Sequence, residues 1–190
     1  MVSKQVVFLR GKKVILRPFN KATDLETFWR WINDPAIQRF MTGYTPVELV
    51  AEERWFDQHP DRKNAIALAI ETQEGQLIGN MGLHQIDWVS RFATTGAMIG
   101  EAEFRGKGYG TDAKMTLLNY AFNHLALRKI LSKVLAFNGR SLRYSQRCGY
   151  REEARLKDMY FRDGEYHDEV ILSVTRDIWL PLWESYQAEE

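Results

Sequence analysis

The segment Arg105-Gly106-Lys107-Gly108-Tyr109-Gly110 sets three glycines at alternate positions among two basic side chains, just ahead of Thr111. It follows an expected strand and opens an expected helix. Glycines let the backbone approach a ligand without interference from Cβ and adopt positive φ where a turn needs it. The helix behind them aims its free N–H groups and positive dipole end at whatever sits in front. Arg105 and Lys107 add charge. The combination makes an anion site, and phosphate is the anion it suits.

Two familiar phosphate loops fit worse. The Walker pattern requires Lys and then Ser or Thr after its second glycine, whereas Gly110 is followed by Thr111-Asp112. The dinucleotide fingerprint is G-x-G-x-x-G, and the spacing here is G-x-G-x-G. A tight surface turn with incidental basic residues is the bland alternative; the strand before and the helix after weigh against it.

The elements that must hold this loop can be read from periodicity. Lys13 to Arg17 is a first strand closed by Pro18. From Thr23 to Asn33, Leu25, Phe28, Trp29 and Ile32 recur at three and four residues, an amphipathic helix stopped by Asn33-Asp34-Pro35. A second helix is expected after Thr45, with Pro46 at its first position. Strands follow at Asn64 to Glu71, Leu77 to Ile86 and Ala93 to Ile99. Beyond the glycine loop come a helix to about His124, a strand from Lys129 to Ala136, and a short helix from Ser141 to Arg147 ended by Gly149. Tyr150 to Leu156 and His167 to Thr175 form a closing hairpin over Arg162-Asp163-Gly164. A final helix starts near Ile178 and carries Trp179, Leu182, Trp183 and Tyr186. The order describes an α+β, mixed α/β domain, and no linker, repeat or low-complexity stretch divides residues 1–190.

Composition narrows the function. Of 190 residues, 45% are hydrophobic and 27% charged, a globular balance. With 26 basic and 25 acidic side chains the net charge is +1, which argues against a nucleic-acid partner. Cys148 is the only cysteine, so an intramolecular disulfide and a multi-cysteine zinc site are excluded, and no metal is expected. The apolar run near Val6 is too short for a secretory leader, and no stretch reaches membrane-spanning length, so the expected compartment is the cytoplasm and no membrane partner is foreseen.

On these residues the chain resembles the GNAT superfamily of N-acetyltransferases. Arg105, Gly108 and Gly110 match its signature of Arg or Gln, two residues, Gly, one residue, Gly or Ala. Leu16-Arg17-Pro18 is similar to its opening strand, and Leu77-Ile78-Gly79-Asn80-Met81-Gly82-Leu83 to its third. Asn138-Gly139-Arg140-Ser141, followed by Arg147-Cys148-Gly149-Tyr150, resembles its second cofactor motif. Tyr160 to Asp168 resembles the last hairpin of the branch that acetylates ribosomal-protein N-termini and spermidine. The resemblance covers nearly the whole chain. It implies a central twisted mixed sheet of about seven strands flanked by four or five helices.

It also implies direct transfer of an acetyl group from acetyl-CoA to a primary amine within a ternary complex. The cosubstrate would lie in a V-shaped split where the strand ending near Ile99 diverges from the one starting at Lys129. Its pyrophosphate would accept bonds from the backbone of Arg105, Gly106, Lys107, Gly108, Tyr109, Gly110 and Thr111. The pantetheine arm would pair with Met98, Ile99 and Gly100, an N–H of Met98 or Ile99 would face the oxyanion, and Asn138 would bond near the arm. Many relatives place a tyrosine seven residues after that asparagine to protonate the departing thiolate. Here the position is Ser145, with Tyr144 one residue earlier, and both side chains cannot face the sulfur. His84 and Glu101 are the candidates for the base that deprotonates the amine; water is a third.

The substrate would enter between the early helices and the last hairpin, where Trp29, Trp31, Phe40, Tyr44 and Trp55 accompany Asp34, Glu48, Glu52, Glu53 and Asp57. Aromatic faces and carboxylates suit a cationic amine such as a polyamine, although helical spacing also explains the aromatics as packing. Two rivals remain: a catalytically silent acyl-CoA sensor, supported by Ser145, and a phosphate- or RNA-binding domain using the Arg105 loop. Relatives are often dimers, which makes a homodimer an expectation; the Trp-rich tail fits best as a cap on the core.

Overall fold

Strand pairing in the computed structural model, which describes residues 6–188, runs through one sheet in the order β1-β2-β3-β4-β5-β6-β8-β7. The strands are β1 (Leu9–Arg10), β2 (Val14–Arg17), β3 (Ile66–Thr72), β4 (Leu77–Asp87), β5 (Phe92–Ile99), β6 (Lys129–Leu135), β7 (Arg151–Arg162) and β8 (Glu165–Thr175). The helices are α1 (Lys21–Ile32), α2 (Pro35–Gln38), α3 (Leu49–Gln58), α4 (Tyr109–Asn119), α5 (Gly139–Arg147) and α6 (Arg176–Ala188). Every pairing is antiparallel except β5 with β6. The eighth strand is β1, two residues too short to give an alternation signal; the sixth helix is the single turn α2. The first five residues of the N-terminal run lie outside the described part. Among the described residues no helix is long and apolar enough to cross a membrane.

Alternation of side chains across the strands feeds two cores. On one face Val14, Leu16, Ile70, Met81, Leu83, Ile130 and Val174 meet α4, the helical turn after it and α6 through Leu117, Leu118, Phe122 and Trp179. Trp179 is fully buried, so the tail does cap the core. On the other face a smaller cluster joins Ala69 to Phe28, Trp31, Ile37 and Phe56.

Helix α1 starts at Asn20, whose side chain caps the Ala22 N–H at 3.1 Å. Of the expected stripe of Leu25, Phe28, Trp29 and Ile32 only Phe28 is buried, together with Asp24 and Trp31; the other three stay half-buried. The reason is an ion-pair group: Arg17 grips Asp24 bidentately at 2.7 and 2.9 Å and reaches Glu71 at 2.6 Å, which rotates the helix toward β2 and β3. The helix stops where expected, but Pro35 then opens α2 behind the cap Asp34.

The helix expected to begin at Pro46 begins instead at Leu49. Val47 is held outside it: its N–H donates to Asn33 Oδ1 at 2.9 Å, and its carbonyl accepts from Trp29 Nε1 at 2.7 Å and Asn33 Nδ2 at 3.0 Å. Gly149, at φ +90°, ends α5 as foreseen. The closing hairpin is longer than expected: register shifts between Glu152 and Ala154 and between Leu156 and Tyr160 break the β7 alternation and hid its extent. Asp163 (φ +50°) and Gly164 (φ +92°) make its turn.

Candidate active site

The glycine loop lies between the end of β5 and the start of α4. Gly106 has φ +76° and Gly108, the residue capping α4, has φ +89°. Nothing lies within 4 Å of a Cβ placed on Gly106, so backbone conformation rather than crowding demands glycine there. Left-handed glycines alternating with other residues turn successive N–H groups inward, and the first-turn N–H groups of α4 add to them. Arg105 does not extend toward this concavity. Its guanidinium folds back, Nε to the Ile99 carbonyl at 3.0 Å and Nη2 to the Gly100 carbonyl at 2.5 Å, and fastens the loop to the end of β5.

Lys13, which the sequence did not single out, also reaches the glycine loop. Its Nζ donates to the Lys107 carbonyl at 3.1 Å, faces the Tyr109 ring at 5.7 Å, and stands 3.6 Å from where a Gly108 Cβ would be. Asp112 in the first turn of α4 sets that placement. It is buried and accepts from the N–H groups of Lys12 (3.0 Å), Lys13 (2.7 Å) and Val14 (2.9 Å) and from the Tyr186 hydroxyl (2.5 Å). The β1–β2 turn is thus hung from the helix that follows the glycine loop. Gly11 is required for the same approach, since a Cβ would come within 2.5 Å of the Asp112 carboxylate.

Strands β5 and β6 pair only from Phe92 with Lys129 to Thr95 with Ser132. Beyond Thr95, β5 keeps β4 on one side, through Gly96 with Gly82 to Ile99 with Gly79, while β6 continues with β8 to Leu135. The two strands therefore part, and one edge of Gly96 to Ile99 is without a strand. The Gly100 N–H donates to the Ile78 carbonyl at 2.8 Å. Counting back by two, the Met98 N–H also faces β4, and the N–H groups of Ala97 and Ile99 face the gap. Of Met98, Ile99 and Gly100, it is Ile99 that presents its N–H to the cleft.

Across the gap, Asn138 caps α5: its Oδ1 accepts from the Ser141 N–H at 3.1 Å, which leaves its amide NH2 to donate. Ser145 on α5 is fully buried rather than solvent-facing, and its hydroxyl has no partner among the described residues. Tyr144 turns to the other side, toward α4.

The opposite sheet face carries the remaining candidates. The His84 imidazole lies over Gly82 and Gly96, with Nε2 3.2 Å from a Cβ built on Gly96. Burial pushes its pKa below the ordinary histidine value, and the positive charges of His59 and Arg62 push the same way. Glu101 sits at the end of β5 beside Trp31, whose indole occupies the space a Gly100 side chain would need. Glu101 accepts from Arg30 Nη2 at 2.6 Å and Trp31 Nε1 at 3.0 Å. Partial burial raises its pKa, but these bonds and the charges of Arg30 and Arg105 outweigh it and hold the carboxyl below the usual range. A paired, acid-shifted carboxylate is a poor base, which separates Glu101 from His84.

Most of the aromatic residues proposed for an amine are packing. Trp31 is buried, Trp55 stacks on His59 at 5.0 Å, and Phe40 meets Phe137 at 5.6 Å. Tyr44 stays exposed under the Arg162 guanidinium at 4.3 Å. Among the carboxylates, Asp57 pairs with Lys21 at 2.8 Å and Asp34 caps α2. Glu52 differs: it is 7% exposed, on the α3 face that also carries Phe56, with no hydrogen-bond or ion-pair partner among the described residues, and burial raises its pKa.

Residues 13–151 match the acetyltransferase (GNAT) domain. YdaF of Bacillus subtilis (strain 168), which carries the name ribosomal N-acetyltransferase, is 35% identical over 106 residues, 56% of this chain and 57% of that protein. A spermidine N(1)-acetyltransferase of Vibrio cholerae is 28% identical over 116 residues, 61% of this chain and 66% of that one. The crystal structure of the Vibrio cholerae spermidine N-acetyltransferase in complex with CoA and spermine superposes with a TM-score of 0.81 at 25% identity, covering 88% of this chain and 98% of that chain. With its family domain matched over most of its length, the chain belongs to the GNAT acetyltransferases, whose acyl donor is acetyl-CoA.

Proposed function

We propose that the chain acetylates a primary amine of a small polycation such as a polyamine, by direct attack on acetyl-CoA within a ternary complex. The observation that carries the reading is the unpaired edge of β5 beyond Thr95, which runs into the left-handed glycine loop at the start of α4. The pyrophosphate fits the loop N–H groups of residues 105–111 with the Lys13 and Lys107 ammonium groups beside them. The pantetheine arm fits the free edge as an added strand, with the Asn138 amide facing it.

In this arrangement the Ile99 or Ala97 N–H stabilises the oxyanion that develops on the thioester carbonyl. His84, kept neutral at physiological pH by its surroundings, takes the proton from the attacking amine, directly or through one water. Glu52 supplies the counter-charge that holds the substrate cation; a buried carboxylate without a partner is costly unless a cation meets it. Ser145 occupies the register position of the usual tyrosine acid. The amine class follows Glu52 and the spermidine-acetylating relatives. Self-assembly belongs to the same proposal, one structure of the Vibrio cholerae enzyme being dodecameric.

The test is thiol release from acetyl-CoA with spermidine, spermine and a panel of N-terminal peptides, followed by mass analysis of the products. Acetylated polyamine with a higher kcat/KM than any peptide supports the reading. Faster turnover of peptides transfers the activity to protein N-termini, and acetyl-CoA binding without turnover on any amine leaves the sensor.

A further inference from the structure

Lys114 is a cation in an unusual place. It lies on α4 between Ala113 and Met115, both buried and apolar, and is itself 1% exposed. Its Nζ donates to Thr95 Oγ1 at 3.2 Å and stands 4.7 Å from the ring centres of both Tyr144 and Tyr150. The Thr95 hydroxyl bonds the Leu131 carbonyl at 3.1 Å and meets the Tyr150 hydroxyl at 3.1 Å. No carboxylate faces the ammonium among the described residues. Its titratable neighbours are Tyr144 on α5, Cys148 just past the end of α5, and Tyr150 just ahead of β7. Burial pushes Cys148 up to about 11 and Tyr150 up to about 12, so these two are neutral at physiological pH. Burial works against the Lys114 charge; the tyrosine contributions that raise its pKa act only once those hydroxyls ionise, above neutral pH. At neutral pH ring faces and hydroxyl oxygens hold the cation, with no anion beside it.

An uncompensated buried ammonium is expensive, and a core built for stability alone would carry an apolar side chain at this point. Its position explains what meets the charge. Thr95 is the last β5 residue paired with β6, so Lys114 reaches the apex of the gap in which the proposed pantetheine arm lies. From the paired Thr95 at the apex to Ile99, β5 spans about 13 Å at about 3.3 Å per residue. An extended arm anchored at the glycine loop therefore brings its sulfur toward the apex. On α5, which flanks the gap, the tyrosine expected to handle that sulfur is replaced by Ser145, buried with its hydroxyl unpartnered.

We infer that Lys114 is the electrostatic partner of the departing CoA thiolate, standing in for the tyrosine acid that this chain lacks. The inference rests on the acetyltransferase reading. When the amine nitrogen has bonded to the carbonyl carbon and the C–S bond breaks, the bonding pair passes to sulfur. The fixed ammonium neutralises that charge in a water-poor setting, and the sulfur acquires its proton from solvent as CoA leaves. The proton lost by the amine departs separately through the base on the other face of the sheet.

The experiment is a pH titration of CoA bound to the full chain, read by the ultraviolet absorbance of the thiolate, in the wild type, Lys114→Met and Lys114→Gln. In the wild type the bound thiol ionises at a pH at least about one unit below free CoA, roughly tenfold more thiolate at a given pH. Both variants return it toward the free value. They keep the acetyl-CoA KM, lose about a hundredfold in kcat, and melt no lower than the wild type because each removes an unpaired charge. Two neutral side chains of different polarity guard against a packing fault in either one. A wild-type bound thiol that ionises like free CoA overturns the inference, as does a titration and kcat unchanged in both variants. Failure of the wild type to bind CoA removes the acetyltransferase reading together with it; binding with an unperturbed thiol removes this inference alone.

Discussion

Replacing Asp112 by asparagine tests how the anion site is held. The carboxylate accepts three backbone N–H bonds at 2.7 to 3.0 Å and the Tyr186 hydroxyl. Asparagine keeps one acceptor oxygen. In the better orientation that oxygen retains Lys13 and Val14, the new NH2 group faces the Lys12 N–H, and Tyr186 must reverse its hydroxyl. One bond is lost, and two pass from a charged acceptor, worth about 1.5–3 kcal/mol each, to a neutral one, worth about 0.5–1.5 kcal/mol. With the repelling donor pair, the loss is about 3–5 kcal/mol, which for a chain of this length lowers Tm by roughly 6–20 °C. The β1–β2 turn loosens at the same time, and Lys13 with it, so the acetyl-CoA KM should rise several-fold with little change in kcat. Calorimetric melting and initial-rate kinetics on Asp112→Asn measure both effects. A variant that melts within about 2 °C of the wild type and keeps its KM would refute the argument that this side chain suspends the turn from α4.

Three further outcomes are expected. Lys13→Ala should weaken acetyl-CoA binding by about tenfold, with a reduced salt dependence and little effect on melting, because the proposed role of the side chain is a phosphate contact and its bond to the Lys107 carbonyl is solvent-exposed; calorimetric titration at two salt concentrations reads this. Glu52→Gln should raise the KM for the amine yet raise Tm at neutral pH. The folded protein holds the Glu52 proton more tightly than the unfolded chain, so its stabilising contribution is present in acid and is lost as pH climbs past the ordinary value of 4.5; glutamine removes the resulting penalty. For His84 the sign is opposite: its folded pKa lies below 6.5, so stability falls as pH drops beneath 6.5 and the acid limb of kcat/KM lies below that value. His84→Gln should lose about a hundredfold in kcat/KM and the acid limb itself, as a pH–rate profile would register.

The conformation of the loop was legible because it is written locally: alternate glycines and basic residues between a strand and a helix need no partner to be recognised. Positive φ at Gly106 and Gly108 follows from the same residues. Contacts between distant segments were not legible. A lysine at position 13 or 114 reads as a solvated charge, and only folding brings one to the glycine loop and the other beneath Thr95. The direction of Arg105, which grips the carbonyls of Ile99 and Gly100, depends on where β5 ends. Helix α3 starts late because Asn33, fourteen residues away, takes both polar groups of Val47. The stripe of α1 turned with the buried Asp24–Arg17 pair, which no apolar periodicity announces. Ser145 could be placed by register, but its burial depends on packing across the sheet.

The central claim, that acetyl-CoA lies in the gap between β5 and β6 with its phosphates on the glycine loop, is tested most directly by calorimetric titration of the full chain with acetyl-CoA and with acetyl-pantetheine, which has the arm and thioester but no phosphate. The account predicts saturable one-to-one binding of acetyl-CoA and at least a hundredfold weaker binding of the phosphate-free thioester, roughly 2.7 kcal/mol. Equal affinity for the two, or no binding of acetyl-CoA, would contradict it.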